Sequence, residues 1–185
     1  GSFSGGTAPP GIACQLLFCS MTTLLTQFYQ LPLESIAQCF LLLSLIFLFA
    51  RRRYAHCRWF RRGVWVTLAI WVAATLWITI FNRTPGSTSL PALIPFHSYR
   101  KLFATGSKDF FRSNFMNVAL FYPAGLLTAS QLPEKWSRIQ KILFSGILLG
   151  LFSFMIEYTQ FLYALGEPEI DDVLHNTLGA ICGTI

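Results

Sequence analysis

Charge is what this sequence has least of. Only 12% of its 185 residues are Asp, Glu, Lys or Arg, about half the share usual for a water-soluble domain. That scarcity argues against a soluble globular fold. Cations are missing altogether before Arg51. The first ten residues, GSFSGGTAPP, therefore lack the basic start of a secretory leader and read as a flexible added tail. Cysteine pairing patterns are also absent. Cys14, Cys19, Cys39, Cys57 and Cys182 form no C-x-x-C pair and no Cys/His metal spacing, so they read as free thiols behaving as small hydrophobes. His56, His97 and His175 are scattered without zinc spacing, and no Ser/His nucleophile motif is visible. Short alternating segments of the kind that build a membrane β-barrel are not found either.

What remains is apolar and comes in blocks: 54% of residues are hydrophobic and 16% aromatic. Leu33–Ala50, Gly63–Phe81, Asn114–Leu132 and Ile142–Leu165 each approach the roughly 20 residues that cross a bilayer. Val173–Ile185 begins a further apolar run and is too short alone, so a continuation past Ile185 is expected. Residues 12–29 have the length but carry Gln15, Thr22, Thr23, Thr26 and Gln27, and Pro32 forces a break before Leu33. The expectation is one all-α, polytopic membrane protein of about five to six transmembrane helices. Residues 1–10 would be a tail, 11–62 an N-terminal membrane element with a basic loop, and 63–185 the main membrane domain.

Orientation follows from where the cations cluster. The stretch RRRYAHCRWFRR at 51–62 holds six arginines, and residues 133–141 hold Lys135, Arg138 and Lys141. Two spans separate these clusters, which places both in the cytoplasm. The segments 82–113 and 166–172 then face outward. Nucleic acid is not an expected partner, because no soluble module carries the arginines; they read as topology signals and contacts to anionic membrane lipids.

On that reading the unusual polar residues share one layer at the outer end of the bundle. Glu157 lies about 12 Å along its helix from Leu165, at ~1.5 Å per residue. Gln160 is one turn nearer the surface. Asn114 and Asn117 share a face, as do Asp172 and Asn176. Arg83, Arg100, Lys101, Lys108 and Arg112 come from the segment above them. An intramembrane Glu is a functional candidate, although a neutral Glu bonded to Asn117 or Asn176 would equally serve as helix glue. In EPEIDDVLHN, Asp171 or Asp172 is expected to cap the following helix. The clustered acids could instead pair with the basic segment or hold a divalent cation; no other cofactor is expected. GAICG, with Gly179 and Gly183, is a small-xxx-small pattern that reads as helix packing. Pro123 and Gly125 are expected to kink their span.

Several short motifs occur in a familiar order: FNRT closing a span, LIPF at 93–96, NFMNVALFYPAGLL at 114–127, IEYTQF at 156–161 and IDDVLHNTLGAICG at 170–183. In these the chain resembles the VanZ-like family over about residues 63–185. The matching positions are Arg83, Pro95, Phe96, Asn117, Pro123, Gly125, Glu157, Gln160, Asp172, Asn176 and Gly179. Two positions depart from the common pattern. Ala92 stands where many members have Asn, and Gly166 or Glu167 where many have Arg.

The resemblance implies a small helical membrane domain in a bacterial cell envelope and a lowered susceptibility to teicoplanin, a lipoglycopeptide. It does not supply a reaction. Three readings stay open. The first is a binder of a lipid-linked cell-wall precursor or lipoglycopeptide, using Arg83, Asn114, Asn117, Glu157, Gln160, Asp172 and Asn176. The second is an enzyme acting on a polyprenyl-phosphate or peptidoglycan precursor with Glu157, Asp171 and Asp172 as acid, base or Mg²⁺ ligands. The third is a structural or proton-conducting polar layer.

Overall fold

The computed structural model describes residues 31–86, 92, 94–106 and 108–185. The expectations for the tail at 1–10, the segment 12–29, Cys14, Cys19 and Leu93 lie outside these residues. Six helices make up the described chain: α1 (Leu33–Tyr54), α2 (Arg58–Leu76), α3 (His97–Thr105), α4 (Lys108–Gln131), α5 (Arg138–Leu162) and α6 (Ile170–Thr184). Among the described residues the only extended pairing is one isolated parallel bridge between Ala92 and Glu169. The chain divides into two compact units, residues 1–39 and 40–185. In the first, Pro32 precedes the first turns of α1 as its missing N–H dictates, and Ile36 N donates to the Pro32 carbonyl at 3.2 Å. The site described below lies in the second unit.

Some helix boundaries have a local cause. At the start of α5, Ser137 and Gln140 form a capping box. Gln140 N donates to Ser137 Oγ at 3.2 Å, and Ser137 N donates to Gln140 Oε1 at 2.8 Å. Helix α2 widens into a π-helical turn over Trp77–Phe81. Helix α3 closes on Gly106, whose φ of 66° is open to glycine without strain.

Among the described residues, three helices are long and apolar enough to cross a membrane: Leu33–Tyr54, Arg58–Phe81 and Arg138–Leu162. The all-α, membrane-spanning architecture is as expected, while the expected count of five to six is only approximate. Helix α4 has 24 residues, but its first half carries Asp109, Arg112, Asn114 and Asn117. Helix α6 has 15 residues, short of the ~20 a span needs. The span expected at Asn114–Leu132 begins earlier, at Lys108, and the segment expected as a loop over 82–113 contains the separate helix α3.

Glycines set the packing of α4 on α6. A Cβ at Gly179 would strike the Val118 carbonyl, one at Gly183 the Tyr122 carbonyl, and one at Gly125 the Ala180 carbonyl. The two backbones therefore touch directly, the close approach that small-xxx-small patterns permit. Phe121, Ala124, Leu149, Ile156 and Ala180 form the buried core beside this contact. Trp71 of α2 completes it, packing edge-on to Phe121 with ring centroids 5.2 Å apart and donating Nε1–H to the Leu120 carbonyl at 2.9 Å.

Candidate functional site

Residues that look incompatible with an apolar bundle gather where α5 ends and α6 begins. Asp171 is the most completely engaged of them and is only 1% exposed. Its Oδ1 accepts from the backbone N–H of Phe96, and its Oδ2 accepts from Ser98 N at 2.8 Å and Ser98 Oγ at 2.6 Å. The carboxylate therefore caps the N-terminus of α3. This corrects the expectation that Asp171 or Asp172 would cap its own helix. The N-cap of α6 is Glu169, without a side-chain bond to the helix, and both aspartates sit in the first turn. Proximity in sequence favoured the local cap, but the orphan N–H groups of α3 are the ones Asp171 meets. Phe96 itself is held at a φ of 63°, a left-handed conformation that costs a non-glycine residue roughly 1 kcal/mol or more.

Asp171 lies ahead of the apolar run that starts at Val173. Burial alone would raise its carboxyl, yet the donors from Ser98 and Phe96 outweigh that and hold it below the ordinary aspartate range. Its backbone carbonyl, one turn before His175, lies 2.6 Å from His175 Nδ1, and His175 Nε2 lies 2.8 Å from Tyr99 Oη. Both ends of the α3 start are thus tied to α6.

The other sequence candidates fall into smaller groups. Asn117 Nδ2 donates to Asp172 Oδ1 at 2.7 Å. Buried Asn114 donates to Ser98 Oγ at 3.1 Å and so joins the Asp171 cluster. Glu157, 8% exposed, accepts from Glu169 N at 3.2 Å through Oε2. Buried Gln160 donates to the Thr79 carbonyl in the π turn at 3.1 Å and accepts from Arg83 Nη1 at 3.3 Å. Arg83 Nη1 also donates to the Leu165 carbonyl at 3.3 Å. Asn176 donates to Ser153 Oγ at 2.8 Å, and its own Oδ1 is buried without a partner. Glu157, Asn117, Asp172 and Asn176 are expected from their common depth to come within hydrogen-bonding or one-water distance of one another; of these, Asn117 and Asp172 bond directly, while Asn176 bonds Ser153 and Glu157 accepts from Glu169 N.

Arg83, for which the sequence allows either a balance of Asp171 or Asp172 or, as the favoured reading, a grip on a ligand's phosphate, bonds an amide and a carbonyl. Arg83 also accounts for the glycine at 166. A Cβ on Gly166 would collide with Arg83 Nη1, and the φ of 149° is strained for any other residue. Lys101 is the cation nearest the acids, 3.9 Å from Glu167 and 3.8 Å from Glu169. Among the described residues no three His, Cys, Asp or Glu side chains converge as a metal site would require.

Ser98, Tyr99, Ser153, Thr79 and His175 were not singled out from sequence. Only His175 carried a signal. It stands four positions after Asp171 in the same motif, hence on the same helix face.

Beside this layer runs an apolar groove. Its upper part, about 250 Å³, is lined by Phe154, Glu157, Tyr158, Phe161, Pro168 and Val173, among others. A second part, about 510 Å³, continues between α5 and α6 past Ile147, Gly150, Leu151, Thr177 and Ile181. Phe154 and Val173 line both. From Ile142 to Phe161 the groove follows α5 for roughly 29 Å, about the thickness of a bilayer's hydrocarbon core. Gly150 opens it, because a Cβ there would press on Thr177 Oγ1.

Long apolar helices with a hydrogen-bonded polar layer at one end define a helical membrane protein. A family model described as VanZ/LLP1 matches residues 35–185. The chain belongs to this VanZ-like family. The match begins well before residue 63, so α1 and the arginine-rich segment, which the motifs alone had left outside, fall within the family region. No curated protein and no solved structure matches the chain.

Proposed function

We propose that this protein binds an amphipathic molecule of the bacterial cell envelope, a lipid-linked cell-wall precursor or a lipoglycopeptide, and thereby lowers susceptibility to teicoplanin. The groove carries this reading. It offers open apolar depressions along α5 for an acyl or prenyl chain and borders Glu157 and the 168–170 segment, beside the amides and acids that would orient a polar head. Positive residues at 51–62 and 133–141 support a cytoplasmic position for those segments, and hence an extracytoplasmic mouth.

Acid–base chemistry has less support. Asp171 is occupied by the α3 cap and Asp172 by Asn117, which leaves Glu157 of the three candidates, bordering the groove together with Glu169.

Filling the groove tests the binding reading. Ile147 is 63% exposed, so Ile147→Trp fills the channel without entering the core. The variant is expected to lose teicoplanin protection at an unchanged membrane protein level. Ile70→Trp, on the equally exposed face of α2, is expected to keep it. Equal protection by both variants would remove the groove from the function.

Arg83 supplies a second test. Both of its contacts use Nη1, and the residue is otherwise exposed, so its planar fork can still clamp a phosphate or carboxylate of the polar head. Arg83→Lys keeps the charge and loses the fork. Resistance and ligand binding are expected to fall at equal protein level; unchanged binding would make Arg83 a structural partner of Gln160.

A further inference from the structure

Helix α3 is built inside out for a helix that faces water. A surface helix in water turns its polar side outward and buries its apolar side. In α3 two polar residues, Ser98 and Tyr99, turn into the protein, while Arg100 and Thr105 are exposed. Ser98 is buried and bonds Asp171 through both N and Oγ, and Tyr99 bonds His175. Among the exposed positions, which also include Ala104 and Thr105, Phe96, Arg100 and Phe103 are spaced i, i+4, i+7 on one face. Arg100 N donates to the Phe96 carbonyl, so Phe96 belongs to the first turn. Phe96 is 61% and Phe103 85% exposed, and Arg100 is exposed between them. Ile94 and Phe111, on the flanking segments, are also more than half exposed.

We infer that α3 is an interfacial helix. Its two phenyl rings enter the membrane at the boundary between headgroups and acyl chains, and Arg100 binds the phosphate of an anionic phospholipid between them. Three observations select this occupant. At nine residues α3 is far too short to span. It lies level with the first turn of α6 and the end of α5, where a bilayer surface would lie, because Asp171 and His175 fix it there. Its outer face combines aromatic rings with a cation, the composition that anchors amphipathic helices in the headgroup region. The Asp171 cap and the Tyr99–His175 bond then acquire a purpose: they keep the polar side of α3 satisfied inside the protein, so that its apolar side can remain turned to lipid.

The test uses the full chain in vesicles of phosphatidylcholine, with and without phosphatidylglycerol. A spin label is attached at Phe103→Cys after the native cysteines are replaced. Collision with oxygen is expected to exceed collision with a water-soluble nickel chelate, at a depth just below the phosphates. Greater access for the nickel chelate would place the stripe in water. Protection from both would mean that protein covers it. Either result overturns the inference. In a second arm, native mass spectrometry counts retained phosphatidylglycerol. Arg100→Gln is expected to lower retention about fivefold, the typical worth of one cation at a membrane surface. Unchanged retention would refute the phosphate site.

Discussion

Asp171→Ala is expected to be the most destabilising single change in the polar layer, lowering stability by about 3–5 kcal/mol, the usual cost when a buried charge partner is removed. The substitution takes away three hydrogen bonds at once and leaves the backbone N–H groups of Phe96 and Ser98 without their acceptor. It also removes the acceptor that holds the N–H of Phe96 in its left-handed conformation. Asp171→Asn preserves shape and one acceptor and should lose roughly half as much. Thermal unfolding in detergent, followed by the appearance of aggregated protein, gives the ranking.

Acid should reproduce the loss. Because the folded-state carboxyl lies below its ordinary value, its stabilising contribution is complete above the unfolded value of about 3.9. It disappears as pH falls through the depressed folded value. Wild-type protein is therefore expected to hold its unfolding midpoint through neutral and mildly acidic pH and to weaken below about pH 4, whereas Asp171→Ala should lack that particular step. A wild-type midpoint that falls already near neutrality would assign the acid sensitivity to another group.

Glu157→Gln is expected to abolish protection against teicoplanin while leaving the fold intact. In the structure Glu157 acts as an acceptor for Glu169 N, and the glutamine carbonyl accepts the same bond in the same shape. What the variant lacks is the ionisable group beside the groove. If protection survives at matched membrane level, Glu157 serves only as a hydrogen-bonded strut for the 168–170 segment. If the protein level falls instead, the charge itself matters for folding; a susceptibility assay paired with quantitative immunoblotting separates these outcomes.

Much of this was legible in the chain, and the reasons differ by element. Helices α1, α2 and α5 announce themselves as long apolar runs between basic segments, since hydropathy over ~20 residues is a strong signal. The meeting of Asn117 with Asp172 also followed from helical spacing and a common depth. The role of Asp171 did not, because its partners lie 73 and 75 residues earlier in the chain. Both possible caps use the same side chain, and only tertiary position chooses between them. Helix α3 was hidden for a related reason. Nine residues carry too few turns for a periodic pattern to stand out, and its polarity is inverted relative to a soluble helix. The groove was invisible because it belongs to neither α5 nor α6. It is lined by residues of both, Ile147 and Leu151 from one and Thr177 and Ile181 from the other.

The binding claim meets its most direct test at Phe154, which lines both parts of the groove and is half exposed. A photoactivatable phenylalanine analogue placed there, in cells producing the full chain, captures whatever molecule occupies the groove, and mass spectrometry identifies it. The account predicts enrichment of a long-chain envelope amphiphile, a lipid-linked precursor or, when the drug is supplied, teicoplanin. Enrichment should be well above that molecule's share of the membrane and be lost in Ile147→Trp. Capture of bulk phospholipids in their ordinary proportions, unchanged by Ile147→Trp, would contradict it.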